Sequence, residues 1–249
     1  MGVNRGPSPI VTDGLVFNAD CRNPSCYPGS GTVWNSNLNS LNTGSIEGDV
    51  TFDGTHMTFN DASGEDGVIF NQAGNSVTPS TGSYEFWMNP NSFSSNHDAC
   101  FTTKNTVASG DTGTDGIYFR FSFISATDHR VYLYSSNGSS SGGQGFMFWM
   151  GNFMTLNAWH HIVLTVGGSA TDDINLYKNG VVVAPSSPGV YYGTGGYSSP
   201  TSDPLRFGGQ PDNNHGFDGM IDIGRIYNRV LTAKDIEQNY NATKNRFGL

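Results

Sequence analysis

Trp159-His160-His161-Ile162-Val163-Leu164-Thr165-Val166 alternates with period two. His160, Ile162, Leu164 and Val166 share one face of an extended chain; His161, Val163 and Thr165 share the other. Both faces are apolar, which predicts a central strand of a sandwich. Just downstream, Ile174-Asn175-Leu176-Tyr177-Lys178 and Val181-Val182-Val183 flank Asn179-Gly180. A type I′ turn needs two residues with positive φ, and Asn-Gly supplies them, so this segment predicts a tight hairpin.

Outward from that centre, short β-rich runs predict strands at Leu15–Asn18, Val50–Phe52, Met57–Phe59, Tyr84–Met88, Ile117–Ser125 and Arg130–Tyr134. Further runs follow at Phe146–Met150, Leu205–Phe207 and Gly219–Tyr227. Gly-, Ser- and Asn-rich stretches separate them, with no composition break and no repeat of 20–50 residues. Ser135–Gly145 reads as a low-complexity loop tip. One helix is expected, at Thr232–Tyr240: Thr232 is a suitable N-cap, Asp235 sits three residues on, and Ile236 and Tyr240 form one apolar stripe. The expected organisation is an N-terminal arm over 1–12, an all-β domain over 13–231, and a C-terminal helix and tail over 232–249 packed on it.

Composition agrees. The chain has 249 residues, 33 of them glycine, and only 13% are charged, against about 25% in an average domain. Its glutamates are Glu47, Glu65, Glu85 and Glu237 and its lysines Lys104, Lys178, Lys234 and Lys244, so the usual helix-surface residues are scarce. The net charge of −9 argues against nucleic-acid binding, which needs a basic face to displace counterions from phosphate. It equally argues against a polybasic membrane-surface protein. No apolar run approaches the ~20 residues of a membrane helix. Met1–Pro9 lacks the apolar core of a signal peptide, so synthesis without secretory export is expected. Cys21 and Cys26 can close a small loop if oxidised, or remain free thiols with Cys100; no zinc-ligand spacing is present.

Several segments, in order, resemble the laminin-G-like branch of the concanavalin A-like jelly rolls. They are Gly14-Leu15-Val16-Phe17-Asn18-Ala19-Asp20, Thr51-Phe52-Asp53-Gly54-Thr55, Tyr84-Glu85-Phe86-Trp87-Met88-Asn89-Pro90, Trp159–Val163, Leu176–Gly180, and Phe217-Asp218-Gly219-Met220-Ile221-Asp222-Ile223-Gly224-Arg225-Ile226-Tyr227-Asn228-Arg229-Val230-Leu231. The resemblance implies a β-sandwich jelly roll of two antiparallel sheets with one short C-terminal helix. Trp87, Trp159 and Phe86 would fill the space between the sheets, about 10 Å. Leu15–Asp20 would pair with Ile221–Tyr227. Asn239–Leu249 resembles the terminus of laminin-G-like proteins of tailed bacteriophages, which implies a virion protein.

Jelly rolls of this kind include glucanases, which need two carboxylates about 5–9 Å apart. Their Glu-x-Asp-x-Glu strand is missing here. Glu85 is the strand glutamate with aromatic neighbours, has no acidic residue two or four positions away, and reads as exposed and structural. Arg120, Tyr118 and Tyr132 imitate an alginate-lyase-like set without its motifs. His160 and His161 point to opposite faces and cannot clamp one metal; they read as core. His215 reads as solvated in a polar loop. No cofactor is required by this reading. The resemblance implies a structural calcium where the first and last strands meet, with Asp20 and Asp222 as ligands and Asp203, Asp212 and Asp218 as a weaker set; turn-forming aspartates are the alternative. Tyr191, Tyr192 and Tyr197, in the loop Pro188–Pro204, suit a glycan platform or a subunit interface, and the arm with Pro7 and Pro9 suits lying across a partner. The expected function is non-enzymatic: a capsid decoration or head-fibre component on the virion surface, a homo-oligomer touching other virion proteins and cell-surface glycan. The alternatives are a tail-fibre receptor-binding module for polysaccharide and a carbohydrate-active enzyme.

Overall fold

The computed structural model describes residues 8–38, 43–60, 66–71, 79, 81–92, 98–102, 116–125, 128–136, 144–167, 174–184, 187–192, 204–208 and 216–249. Its first strands are β1 (Leu15–Asp20), β2 (Val33–Asn35), β3 (Thr43–Glu47), β4 (Thr51–Phe52), β5 (Met57–Phe59) and β6 (Gly67–Asn71). Next come β7 (Gly82–Pro90), β8 (Asp98–Thr102), β9 (Gly116–Ser125), β10 (Asp128–Ser136), β11 (Gln144–Gly151) and β12 (His160–Val166). The chain continues with β13 (Ile174–Lys178), β14 (Val181–Val183), β15 (Ser187–Tyr192), β16 (Leu205–Gly208) and β17 (Gly219–Tyr227), and ends in helix α1 (Ala233–Thr243) and a 3-10 turn, Lys244–Phe247.

Among the described residues the strands form two antiparallel sheets. An eight-stranded sheet runs β14-β13-β12-β7-β17-β5-β4, with β1 also paired to β17. A nine-stranded sheet runs β15-β11-β10-β9-β8-β16-β6-β3-β2. The expected closure of first strand on last is present, with Asn18 opposite Arg225 and Asp20 opposite Ile223. The hairpin is also present: Asn179 and Gly180 have φ of 53° and 82°, and β13 and β14 pair around them. The strands not foreseen, β2, β3, β6, β8 and β15, are short or rich in Gly, Ser and Asn. Their apolar positions are too few to stand out as a periodic run.

The core between the sheets is dominated by phenylalanine. Phe17, Phe70, Phe86, Phe101, Phe119 and Phe207 are all fully buried, and their rings meet mostly edge-on or tilted, as with Phe17 and Phe70 at 4.9 Å. Gly224 of β17 faces this core because a Cβ there would lie 2.3 Å from the Phe207 ring.

One expectation about the core is corrected. Phe86 fills the inter-sheet space, but Trp87 and Trp159 do not. Adjacent strand residues point to opposite faces, so Trp87 lies on the outer face of the eight-stranded sheet. That face is covered by the C-terminal segment. Phe247 stacks on Trp87 at 4.0 Å and 14° and contacts Trp159 at 4.6 Å. Trp87 Nε1 donates to Thr243 Oγ1 at 2.9 Å. Ile236 of α1 packs with Val163, Tyr227 and Leu231. The helix is capped as expected: Asp235 N donates to the Thr232 hydroxyl, and Thr232 N donates to the Asp235 carboxylate. It continues past Tyr240 because Asn239 and Thr243 find partners on the sheet, and the 3-10 turn then places Phe247.

The arm, where described, lies on its own domain. Asn239 Oδ1 accepts from Val11 N at 2.7 Å, and Gln238 Nε2 donates to the Pro9 carbonyl at 2.7 Å. Cys21 and Cys26 are buried free thiols. Burial pushes both thiols up, which disfavours the nucleophilic thiolate. Among the described residues, no helix is long and apolar enough to cross a membrane.

Candidate functional site

Two clusters contain the acidic residues singled out above. The first is built on β7, β12 and β17, beneath α1. Glu85 and Arg225 are direct cross-strand partners on the outer face of the sheet. Glu85 is not exposed, as its sequence context suggests, but completely buried, because the helix lies over it. Its Oε1 accepts from Arg225 Nη1 at 2.5 Å and lies 3.1 Å from His161 Nε2. Its Oε2 accepts from Asn239 Nδ2 at 2.6 Å and is 3.4 Å from the Tyr227 hydroxyl. Arg225 Nε donates to Asn18 Oδ1 at 3.0 Å. Burial opposes ionisation of Glu85, but the Arg225 charge and the His161 hydrogen bond outweigh it and hold the carboxyl down at about 2. A carboxylate so enclosed cannot reach a sugar or take up a proton from one. Its reach to α1 through Asn239 was hidden in the sequence, since the partners lie 154 residues apart.

The second cluster lies where the first and last strands meet. Here the structure does bring Asp20 and Asp222 together, with Arg246 between them. Arg246 Nη1 is 2.7 Å from Asp20 Oδ2, and Arg246 Nη2 is 3.7 Å from Asp222 Oδ2. Asp222 Oδ2 also meets His56 Nδ1 at 2.8 Å and Arg22 Nη2 at 3.4 Å, while its Oδ1 accepts from Met57 N at 3.2 Å. Burial pushes the Asp222 carboxyl up, and His56 and Arg246 pull it back in part. The rim is aromatic: half-buried Trp159 lies 4.9 Å from the His56 ring, and Arg22 and Arg246 lie 5.8 and 5.4 Å from the Phe247 ring centre.

This donor set does not fit calcium. The ion needs six to eight oxygens, but the two carboxylates here face two guanidinium groups and an imidazole, so a divalent cation would displace three side chains that already satisfy them. Of the weaker set, Asp218 is half-buried and gives its backbone carbonyl to Asn91 N at 2.9 Å; Asp203 and Asp212 lie outside the described residues. Among the described residues there is no group of three or more His, Cys, Asp or Glu arranged for a metal.

The remaining candidates fall elsewhere. Arg120 and Tyr132 are register partners on β9 and β10, with the guanidinium 4.7 Å from the ring centre, and both are buried. Tyr118 pairs in register with Tyr134. His160 is buried in the core as expected, with Nε2 against the Thr155 backbone. His129, which drew no attention in the sequence, is also buried. Its Nδ1 accepts from Phe153 N and Met154 N, both at 3.0 Å. Tyr191 and Tyr192 are not in a loop: they end β15, the edge strand of the nine-stranded sheet, opposite Phe146 and Gly145. Pro188 obscures that strand in the sequence, but an edge strand tolerates proline. Tyr197 and His215 lie outside the described residues.

Residues 62–237 match the laminin G family model described as the concanavalin A-like lectin/glucanases superfamily. No curated protein matches the chain. Among solved structures, Trypanosoma rangeli sialidase is similar at 14% identity and TM-score 0.60, over 95% of this chain and 34% of that one; this chain therefore spans about a third of the sialidase. Domain 4 of AbnA, a GH43 extracellular arabinanase from Geobacillus stearothermophilus in complex with arabinotriose, is similar at 18% identity and TM-score 0.56, over 91% of this chain and 98% of that one. These likenesses are of fold. The family match covers most of the sandwich, and the strands before it, β1 among them, complete the same sheets: the chain belongs to the concanavalin A-like lectin/glucanase superfamily.

Proposed function

We propose that this protein is a non-enzymatic adhesion module, carried on the surface of a tailed-phage virion as a capsid decoration or head-fibre component. The observation that carries the non-enzymatic part is the commitment of Glu85. It is bound by Arg225, His161 and Asn239 inside the fold, whereas most glycoside hydrolases use two carboxyl groups facing an open bond. Asp222, the other buried strand acid considered, is likewise engaged by the Arg22 and Arg246 guanidinium groups and the His56 imidazole. The virion setting draws on the likeness of Asn239–Leu249 to phage proteins of this fold, and the charge of −9 favours protein or glycan contacts over nucleic acid.

Mass spectrometry of purified particles tests this reading. Stoichiometric presence in the virion is expected, and absence refutes it. Measurable turnover of a polysaccharide that is lost in Glu85→Gln would refute the non-enzymatic part. A second reading is a tail-fibre receptor-binding module for polysaccharide. It is favoured by the carbohydrate-binding fold and by the similarity to an arabinanase domain solved with arabinotriose. A glycan array separates the two: reproducible sugar binding lost in Tyr191→Ala or Tyr192→Ala supports the receptor module.

A further inference from the structure

The flank of the sandwich at β14 is apolar and exposed. β14 is the last strand on its side of the eight-stranded sheet, paired only to β13 among the described residues. Its three residues are Val181, Val182 and Val183, and Val181 and Val182 are 66% and 56% exposed. Edge strands are ordinarily protected by being very short, by lysine, proline or a bulge, or by a cover; β14 is short and α1 lies beside it, but its three valines supply no lysine and no proline. The pair that closes a two-residue type I′ hairpin, Lys178 with Val181, exchanges hydrogen bonds. The next residue along, Val182, therefore turns its N–H and C=O away from β13. A donor and an acceptor thus face outward on a strand whose Val181 and Val182 are the most exposed large hydrophobic residues among the described residues.

We propose that β14 pairs with β14 of a second copy of this chain, antiparallel about a two-fold axis through Val182, joining the two eight-stranded sheets into one. The inference rests on the adhesion reading and names the surface through which copies associate. A two-fold contact must be self-complementary, and this patch is. The groove of about 590 Å³ beside Val181 and Val182 is walled by α1, which contributes Lys234 and Glu237. One positive and one negative side chain on the same wall let Lys234 of one copy face Glu237 of the other. The patch is thereby close to neutral on a chain of net charge −9, so it is a place where like-charged copies meet without repulsion. Either a strongly basic or a strongly acidic partner would meet one unfavourable charge there.

Sedimentation velocity on the full chain tests this between about 1 and 100 µM, the range for a modest self-association. A monomer–dimer equilibrium is expected. Val182→Lys, on an exposed edge and so neutral for the fold, should weaken the dimer at least tenfold with an unchanged circular dichroism spectrum. Lys234→Glu should weaken it too, and adding Glu237→Lys to that variant should restore it. A monomer throughout the range, or a dimer indifferent to both single changes, overturns the proposal. Virion association is measured separately: particles that contain the protein while it remains monomeric in solution refute the β14 contact alone. A dimer absent from particles refutes the virion reading alone.

Discussion

Glu85 shows how one side chain is assigned by its surroundings. Its neighbours in sequence are Tyr84 and Phe86, both in the core, and alternation sends Glu85 the other way, where a strand residue ordinarily meets water. The helix removes that water and Arg225 replaces it. Removing one member of a buried ion pair leaves the other charge uncompensated, so Glu85→Gln should cost about 3–5 kcal/mol of unfolding free energy. Urea denaturation at a series of pH values checks this and also exposes a two-stage acid dependence. His129 is lowered by burial and by the Lys178 charge, and its Nδ1 must stay unprotonated to accept two amides. A base held neutral in the fold contributes stability above its unfolded pKa, and that contribution falls as the pH drops below 6.5. Glu85 is an acid with a depressed folded pKa, so its contribution is complete above 4.5 and declines as the pH falls towards 2. The second stage should shrink in Glu85→Gln, leaving the part carried by Asp53, Asp128 and Asp235, whose carboxyls are also held low by their hydrogen bonds; a stage of unchanged size would show that Glu85 does not carry it.

At the level of elements, β17 organises the sheet and the C-terminal segment seals it. β17 pairs with β7 along one edge and with β1 and β5 along the other, which is why the block Phe217–Leu231 is so recognisable: it must satisfy neighbours on both edges and both faces. Helix α1 was legible from its capping box and its Ile236–Tyr240 stripe. The 3-10 turn after it was not, since four residues with one apolar side chain make no periodic pattern. Yet Phe247 closes the outer face over Trp87, which is 0% exposed. Phe247→Ala should lower stability by about 3 kcal/mol and shift tryptophan emission to the red as Trp87 becomes hydrated. An unshifted spectrum with unchanged stability would show that the turn contributes nothing to the cover.

For the molecule as a whole, the outer face of the eight-stranded sheet is the one whose cover is described. The face of the eight-stranded sheet bears α1, the 3-10 turn and residues Pro9–Val11: hydrogen bonds tie Pro9 and Val11 to Gln238 and Asn239, and Phe247 of the turn packs on Trp87. The cluster of Asp20, Asp222, Arg22, His56 and Arg246 sits at the rim of this cover, where the chain's own guanidinium groups meet both carboxylates. Thermal melts with and without a calcium chelator should therefore coincide, because a ligand that binds the folded state would raise the midpoint. A lower midpoint in chelator would place a bound ion in this protein. Arg246 stands 226 residues from Asp20, and no local spacing in the sequence joins them.

Period-two alternation, the Asn-Gly turn and the capping box are properties of neighbouring residues, so all-β character, the hairpin and the helix could be read directly from the amino-acid order, and the pairing of the first and last strands from the family motifs they carry. Which aromatic residues fill the core, where Glu85 sits and what answers Asp222 depend on contacts between segments up to 226 residues apart. A strand pattern says that a side chain faces away from the core; whether water or another element then meets it is settled by packing alone.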